Sequence, residues 1–188
     1  MGLLLPFDDA DPDTADYQRV IRHECGHAIV ARFAREPIVF LRIGRSLKSE
    51  TPGETQRERL AAWDTECLIT RAGETAERIF GDGTSEPASW DDDLRHIRKV
   101  VRAFRAEIPG YTDGEEWLSS YVRGLDERVQ AILHRPAVKE AFAALSGVLQ
   151  EKRREKDQQK AANQPVEPTG LRGDEIAHRV DVFLTPPV

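Results

Sequence analysis

The stretch His23-Glu24-Cys25-Gly26-His27-Ala28-Ile29-Val30 places two histidines four residues apart in a run with helical spacing. Val20, Ile21, Ala28, Ile29, Ala31 and Phe33 fit one buried face. A helix is therefore expected from near Thr14 until Pro37, whose ring cannot join the hydrogen-bond ladder. On that helix His23 and His27 share a face one turn apart. Two imidazole nitrogens can then converge on one ion, and zinc takes such ligands at about 2.0–2.1 Å. A catalytic zinc keeps three protein ligands and a water, whose pKa it lowers towards about 7. Glu24 stands beside His23 as the general base for that water and the donor to a leaving amine. Gly26 is expected to keep bulk off the metal face. Cys25 reads as a small buried residue, because i and i+2 do not share a helix face with a base, and Cys67 reads the same way.

A third ligand has to come from elsewhere. Asp91-Asp92-Asp93 is the best source, since a carboxylate is a suitable zinc ligand. Acidic residues at a helix start also cap amides and complement the dipole. His96 competes with them, and Glu74 and Glu77 are further candidates.

Beyond the motif helix, Ile38-Val39-Phe40-Leu41-Arg42-Ile43 is short, apolar and β-branched, and reads as a strand. A lone strand needs a partner, which is expected within residues 44–52. Thr51-Pro52-Gly53-Glu54 has the form of a capping box with Pro at the first helical position, so a helix is expected from Glu54 to Phe80. Further helices are expected at about Asp91–Ala106 and Asp113–Leu133 and, after an interruption at His134-Arg135-Pro136, on to about Lys156. The charged run Glu151–Lys160 reads as a solvated helix end. Residues 1–13 read as an irregular lead-in and 158–170 as a linker. Leu171–Phe183 reads as a short terminal helix on the same domain, with a tail to residue 188. The fold class is mainly α with a small sheet after the motif helix. Trp63, Trp90 and Trp117 read as packing residues, and His134 and His178 as ordinary ones.

Composition narrows the function. The net charge of -6 argues against nucleic acid as a partner, because phosphate contacts need clustered Lys and Arg. Two cysteines make no disulfide framework, and no run approaches the roughly 20 apolar residues of a membrane span. The chain reads as a soluble cytoplasmic protein without a membrane segment.

Four stretches together resemble the FtsH-type peptidases, the protease domain of membrane-bound ATP-dependent AAA proteases. They are His-Glu-Cys-Gly-His-Ala-Ile-Val from His23, Ala72-Gly73-Glu74-Thr75-Ala76-Glu77-Arg78-Ile79-Phe80-Gly81, Ala88-Ser89 followed by Asp93-Leu94, and Leu171-Arg172-Gly173-Asp174-Glu175-Ile176. Their order and approximate spacing agree with the family from about Tyr17 to Val180. The resemblance implies a helical zinc-peptidase domain over residues 14–157. It implies Zn2+ held by His23, His27 and Asp93, Glu24 as base, and unfolded polypeptide bound in extended form beside a strand. Cys25 replaces the family's alanine, Trp90-Asp91-Asp92-Asp93 replaces its Asn-Asp pair, and segment 44–56 is shorter. No ATPase module or membrane anchor is expected in this chain, so a homo-oligomer or a separate unfoldase is the expected partner besides the polypeptide substrate. The expected function is a zinc metallopeptidase. The alternatives are a catalytically inactive member of the fold serving as a regulatory or interaction protein, and a hydrolase of non-peptide amides or esters.

Overall fold

The computed structural model describes residues 15–43, 53–57, 62–81, 90–162 and 169–184. Its elements run α1 (Ala15–Phe33), β1 (Ile38–Ile43), β2 (Gly53–Arg57), α2 (Trp63–Phe80), α3 (Trp90–Ala103), α4 (Glu115–Leu133), α5 (Pro136–Ala161), β3 (Gly170–Arg172) and α6 (Gly173–Leu184). The protein is mainly helical with one small antiparallel sheet of order β2-β1-β3.

The expected apolar face of α1 is buried, with Val20, Ile21, Ala28, Ile29 and Ala31 inside and Phe33 packed at the margin. The helix ends earlier than Pro37 requires. Arg35 takes the left-handed conformation (φ 62°). Its N–H donates to the Arg32 carbonyl, and that of Glu36 to the Ala31 carbonyl, each at 2.9 Å. This is a Schellman ending, with proline two residues beyond the left-handed position.

β1 lies where its composition puts it, but its partners come from elsewhere. Residues 44–52 lie outside the described residues. The strands beside β1 are β2 and β3, with Leu41 paired to Thr55 on one side and Leu171 on the other. The expected helix start at Glu54 is therefore corrected: Gly53–Arg57 is a strand, and α2 begins at Trp63. A capping box is a local signal, whereas β1 leaves a row of backbone groups that only another strand can satisfy. The register shifts between Ile38 and Phe40. This bulge turns the alternation over, so that Ile38 and Leu41 are both buried while Val39 is exposed.

Three other expectations are corrected. α5 continues to Ala161, into the expected linker. Its charged end is not wholly solvated: Arg153 is buried, lies over the Tyr17 ring and pairs with Asp157 at 3.1 Å, and Lys156 is buried too. Leu171 and Arg172 belong to β3, and α6 starts at Gly173. There Glu175 reaches back to accept the Arg172 N–H at 2.8 Å, half of a capping box. Trp63 and Trp117 pack against Tyr121, His134 and His178 are exposed, and the Trp90 side chain lies outside the described residues.

α2 is the central element. Every residue from Glu66 to Glu77 is buried, because α1, α3 and α4 all pack on it. Small residues allow α1 that close. A Cβ added to Gly26 would fall 2.5 Å from the Ala72 carbonyl oxygen and 2.6 Å from the Ala76 Cβ. Gly26 thus makes room for α2 rather than for the metal face. Since the Ala72 contact is backbone, Gly26→Val must force the helices apart. Overpacking of this kind costs about 1–3 kcal/mol, so thermal denaturation of the variant should show a Tm several degrees lower, at ~2–4 °C per kcal/mol for a chain of this size.

Candidate metal centre

His23 and His27 project from α1 onto α2, and α2 holds both rings by their Nδ1 atoms. His23 Nδ1 lies 2.6 Å from Glu77 Oε1, and His27 Nδ1 lies 2.8 Å from the Ile69 carbonyl oxygen. A carbonyl and a carboxylate only accept, so each Nδ1 is the donor. In the neutral rings both Nε2 atoms then present lone pairs, and they face each other 2.9 Å apart.

Asp93, in the first turn of α3, completes the cluster. Its Oδ2 lies 3.4 Å from His23 Nε2 and 3.7 Å from His27 Nε2. The oxygen is buried and has no hydrogen-bond partner. Two lone pairs and a carboxylate oxygen converging without a donor between them are the donor set of a divalent cation. The spacing fits as well: ligand atoms about 2.0–2.1 Å from one tetrahedral ion lie about 3.4 Å apart. Of the described residues, His23, His27 and Asp93 form the one such group of three.

The other expected candidates stand elsewhere. Glu77 sits on the far nitrogen of His23 and orients the ring. Glu74 faces Arg71 and Arg78. Asp92 is exposed and pairs with Arg95 at 2.7 Å. His96 Nε2 donates to Glu66 Oε1 at 2.9 Å. The Asp91 side chain lies outside the described residues.

Glu24 is buried beside this cluster. β2 supplies its contacts: the Thr55 hydroxyl lies 2.8 Å from Glu24 Oε2, and Gly53 lies flat against the carboxyl group. Burial raises the Glu24 pKa, against the pull of His27, His23 and the Thr55 hydrogen bond. The direction favours proton acceptance. For His23 burial works the other way and lowers the pKa. The Glu77 hydrogen bond and the charges of Asp93, Glu24 and Glu77 outweigh it and bring the imidazole up to about 9. That is the sign of a site whose surroundings demand positive charge. Cys25 and Cys67 are free and buried, and burial holds both thiols protonated.

Gly73 sets the depth of the site. A Cβ there would fall 2.6 Å from His27 Nε2 and 2.7 Å from His23 Nε2, in the space where the ligand atoms meet. A cleft of ≈ 170 Å³ opens beside the cluster, lined by His27 and Asp93 together with Thr55, Arg57, Glu66 and His96. Glu66 accepts from His96 and from Arg57 Nη2, the latter at 2.8 Å. The His96 hydrogen bond, followed by the Arg57 charge, lowers its pKa to about 2 against the effect of burial. Thr55, Arg57 and Glu66 were not among the sequence candidates. They carry no motif, and the sequence at the start of β2 has the form of a helix start.

No family model matches the chain, and no curated protein matches it. No helix among the described residues is long and apolar enough to cross a membrane.

Two outcomes follow from this geometry. Glu77→Gln keeps the shape but weakens the hold on His23, and should lower zinc affinity about 10–100-fold in competition with a chromophoric chelator. The depressed Glu66 pKa stabilises the fold fully above its ordinary value of 4.5, and that contribution is lost as pH falls towards about 2. The stability difference between the parent and Glu66→Gln in urea should therefore be constant near neutrality and shrink below pH 4.5.

Proposed function

We propose that the chain is a zinc-dependent peptidase of the FtsH type that hydrolyses peptide bonds in peptides or unfolded protein. The observation that carries this reading is the convergence of His23 Nε2, His27 Nε2 and Asp93 Oδ2 beside the buried Glu24 carboxylate. Zinc held by those three residues would supply an acidified water and a Lewis acid for the scissile carbonyl.

The chain's own residues do the rest. Glu24 accepts the proton of the attacking water and returns it to the departing amine. Its raised pKa makes it a better proton acceptor than an exposed glutamate. Thr55 holds one carboxylate oxygen in place. Glu77 and the Ile69 carbonyl keep both imidazoles in the tautomer that offers Nε2. β2 lies at the edge of the sheet and lends Thr55 and Arg57 to the cleft. An extended polypeptide laid along that edge would pass the cluster, which fits unfolded chain as the substrate class. Two free buried cysteines suit a cytoplasmic location.

Glu24→Gln tests the reading. Zinc content measured by mass spectrometry of the metal should match the parent, while cleavage of a quenched fluorogenic peptide should fall about 10²–10⁴-fold. Cleavage at the parental rate would overturn it.

A further inference from the structure

Arg57 is the guanidinium of the cleft, and its bonding is incomplete. Its side chain is 10% exposed. Nη2 is committed to Glu66 Oε2 at 2.8 Å, but Nη1 is buried with no hydrogen-bond partner. A guanidinium nitrogen out of water calls for an acceptor. Among the described residues the cleft has none to give. Glu66 uses one oxygen for Arg57 and the other for His96. The Asp93 oxygen points to the two imidazoles. The pocket that meets the candidate metal centre therefore has a largely buried guanidinium with an open donor, and among the described residues its two carboxylates are engaged elsewhere, Glu66 by Arg57 and His96 and Asp93 by the imidazoles.

We propose that Arg57 selects substrates by accepting a carboxylate into this cleft next to the scissile bond, from an Asp or Glu side chain or from a free chain end. This deepens the peptidase reading and rests on it. Arginine suits the task because its fork engages carboxylates from two nitrogens at once, with Glu66 fixing one side of the fork and the substrate completing the other. Glu66 stays ionised throughout the neutral range, so the guanidinium keeps one geometry. A basic substrate residue would meet Arg57 as a like charge, and a neutral amide would satisfy Nη1 without the charge.

The test uses labelled extended peptides that differ only in Glu, Gln or Lys beside the cleavage point, each with a free or an amidated C-terminus. Binding is read by fluorescence anisotropy on the zinc-supplemented Glu24→Gln protein, and cleavage is read on the parent chain. The Glu peptide should bind about tenfold or more tightly than the Gln peptide, with Lys weakest. If the chain end is the source, the same gain appears for free acid over amide instead. Adding Arg57→Gln should abolish the preference, and Arg57→Lys should retain part of it. Arg57→Gln also deprives Glu66 of a partner, so its fold is checked by circular dichroism, and the Glu-against-Gln comparison in the Arg57 protein decides independently of that variant. Equal binding of all the peptides, or an acid preference that survives in folded Arg57→Gln, would overturn the proposal. Acid-selective binding without cleavage by the parent chain would remove the peptidase reading and leave the carboxylate site. Cleavage without acid preference would do the reverse.

Discussion

Ala72, Gly73 and Ala76 give α2 a face with almost no bulk, and α1 lies against it at backbone distance. The rest of the centre depends on that approach. It brings the Ile69 carbonyl and Glu77 within reach of the two Nδ1 atoms, and so turns both Nε2 atoms into one small space. A larger residue at Gly26 would separate the helices. One at Gly73 would occupy the place where the donor atoms meet. The histidines thus owe their geometry less to their own helix than to the neighbour beneath them.

A helix that orients two rings has to be held still, and α2 is held by charge as well as by packing. Arg71 bonds Asp126 of α4 at 2.8 Å and pairs with Glu74, while Arg78 and Thr75 converge on the same Asp126. On α2, Arg71, Glu74 and Thr75 lie between Ile69 and Glu77, on the stretch that fixes the imidazoles, and Arg78 follows directly. Buried pairs add little net stability, but removing one partner leaves an uncompensated charge inside. The network therefore acts as a register device, since α2 cannot slide or rotate against α4 without stranding Asp126. α1 is tied in a similar way to α6, where Arg32 bonds Asp181 through two nitrogens.

Much of this could be read from the residues, and the failures have physical causes. The period of Val20 to Phe33 located α1, and the apolar run at Ile38 located β1. β2 is hidden in the sequence because Thr51-Pro52-Gly53-Glu54 is a strong local signal for a helix start, and the strand that overrides it lies elsewhere in the chain. β3 is three residues long, too short for any alternation to show. The charged run around Arg153 does not reveal which of its faces meets Tyr17. At the centre, the spacing of His23 and His27 was legible because i and i+4 share a face in any helix. Choosing among Asp91, Asp92 and Asp93 needed the exact rotation of α3, which sequence spacing does not fix. Glu77 stands out in the sequence only as a ligand candidate, since a carboxylate that binds a metal and one that braces a histidine look alike there. The Ile69 carbonyl is a backbone atom and leaves no trace there at all.

The sheet carries a consequence for how the chain reaches this state. β1 is its middle strand, and its two neighbours differ greatly in distance along the chain. Leu41 meets Thr55 after a short excursion but meets Leu171 only after four helices have intervened. On a growing chain, α1 and α2 can dock and set the histidines early, since their contacts are comparatively local. The far edge of β1 must wait for the segment around Gly170, and closing so long a loop is slow. During that interval the centre's histidines can already be in place while Val39, Phe40 and Leu41 still offer an unpaired edge to any passing strand. The nascent chain is thus exposed at its sheet rather than at the histidine cluster, and that is where a chaperone would have most to protect.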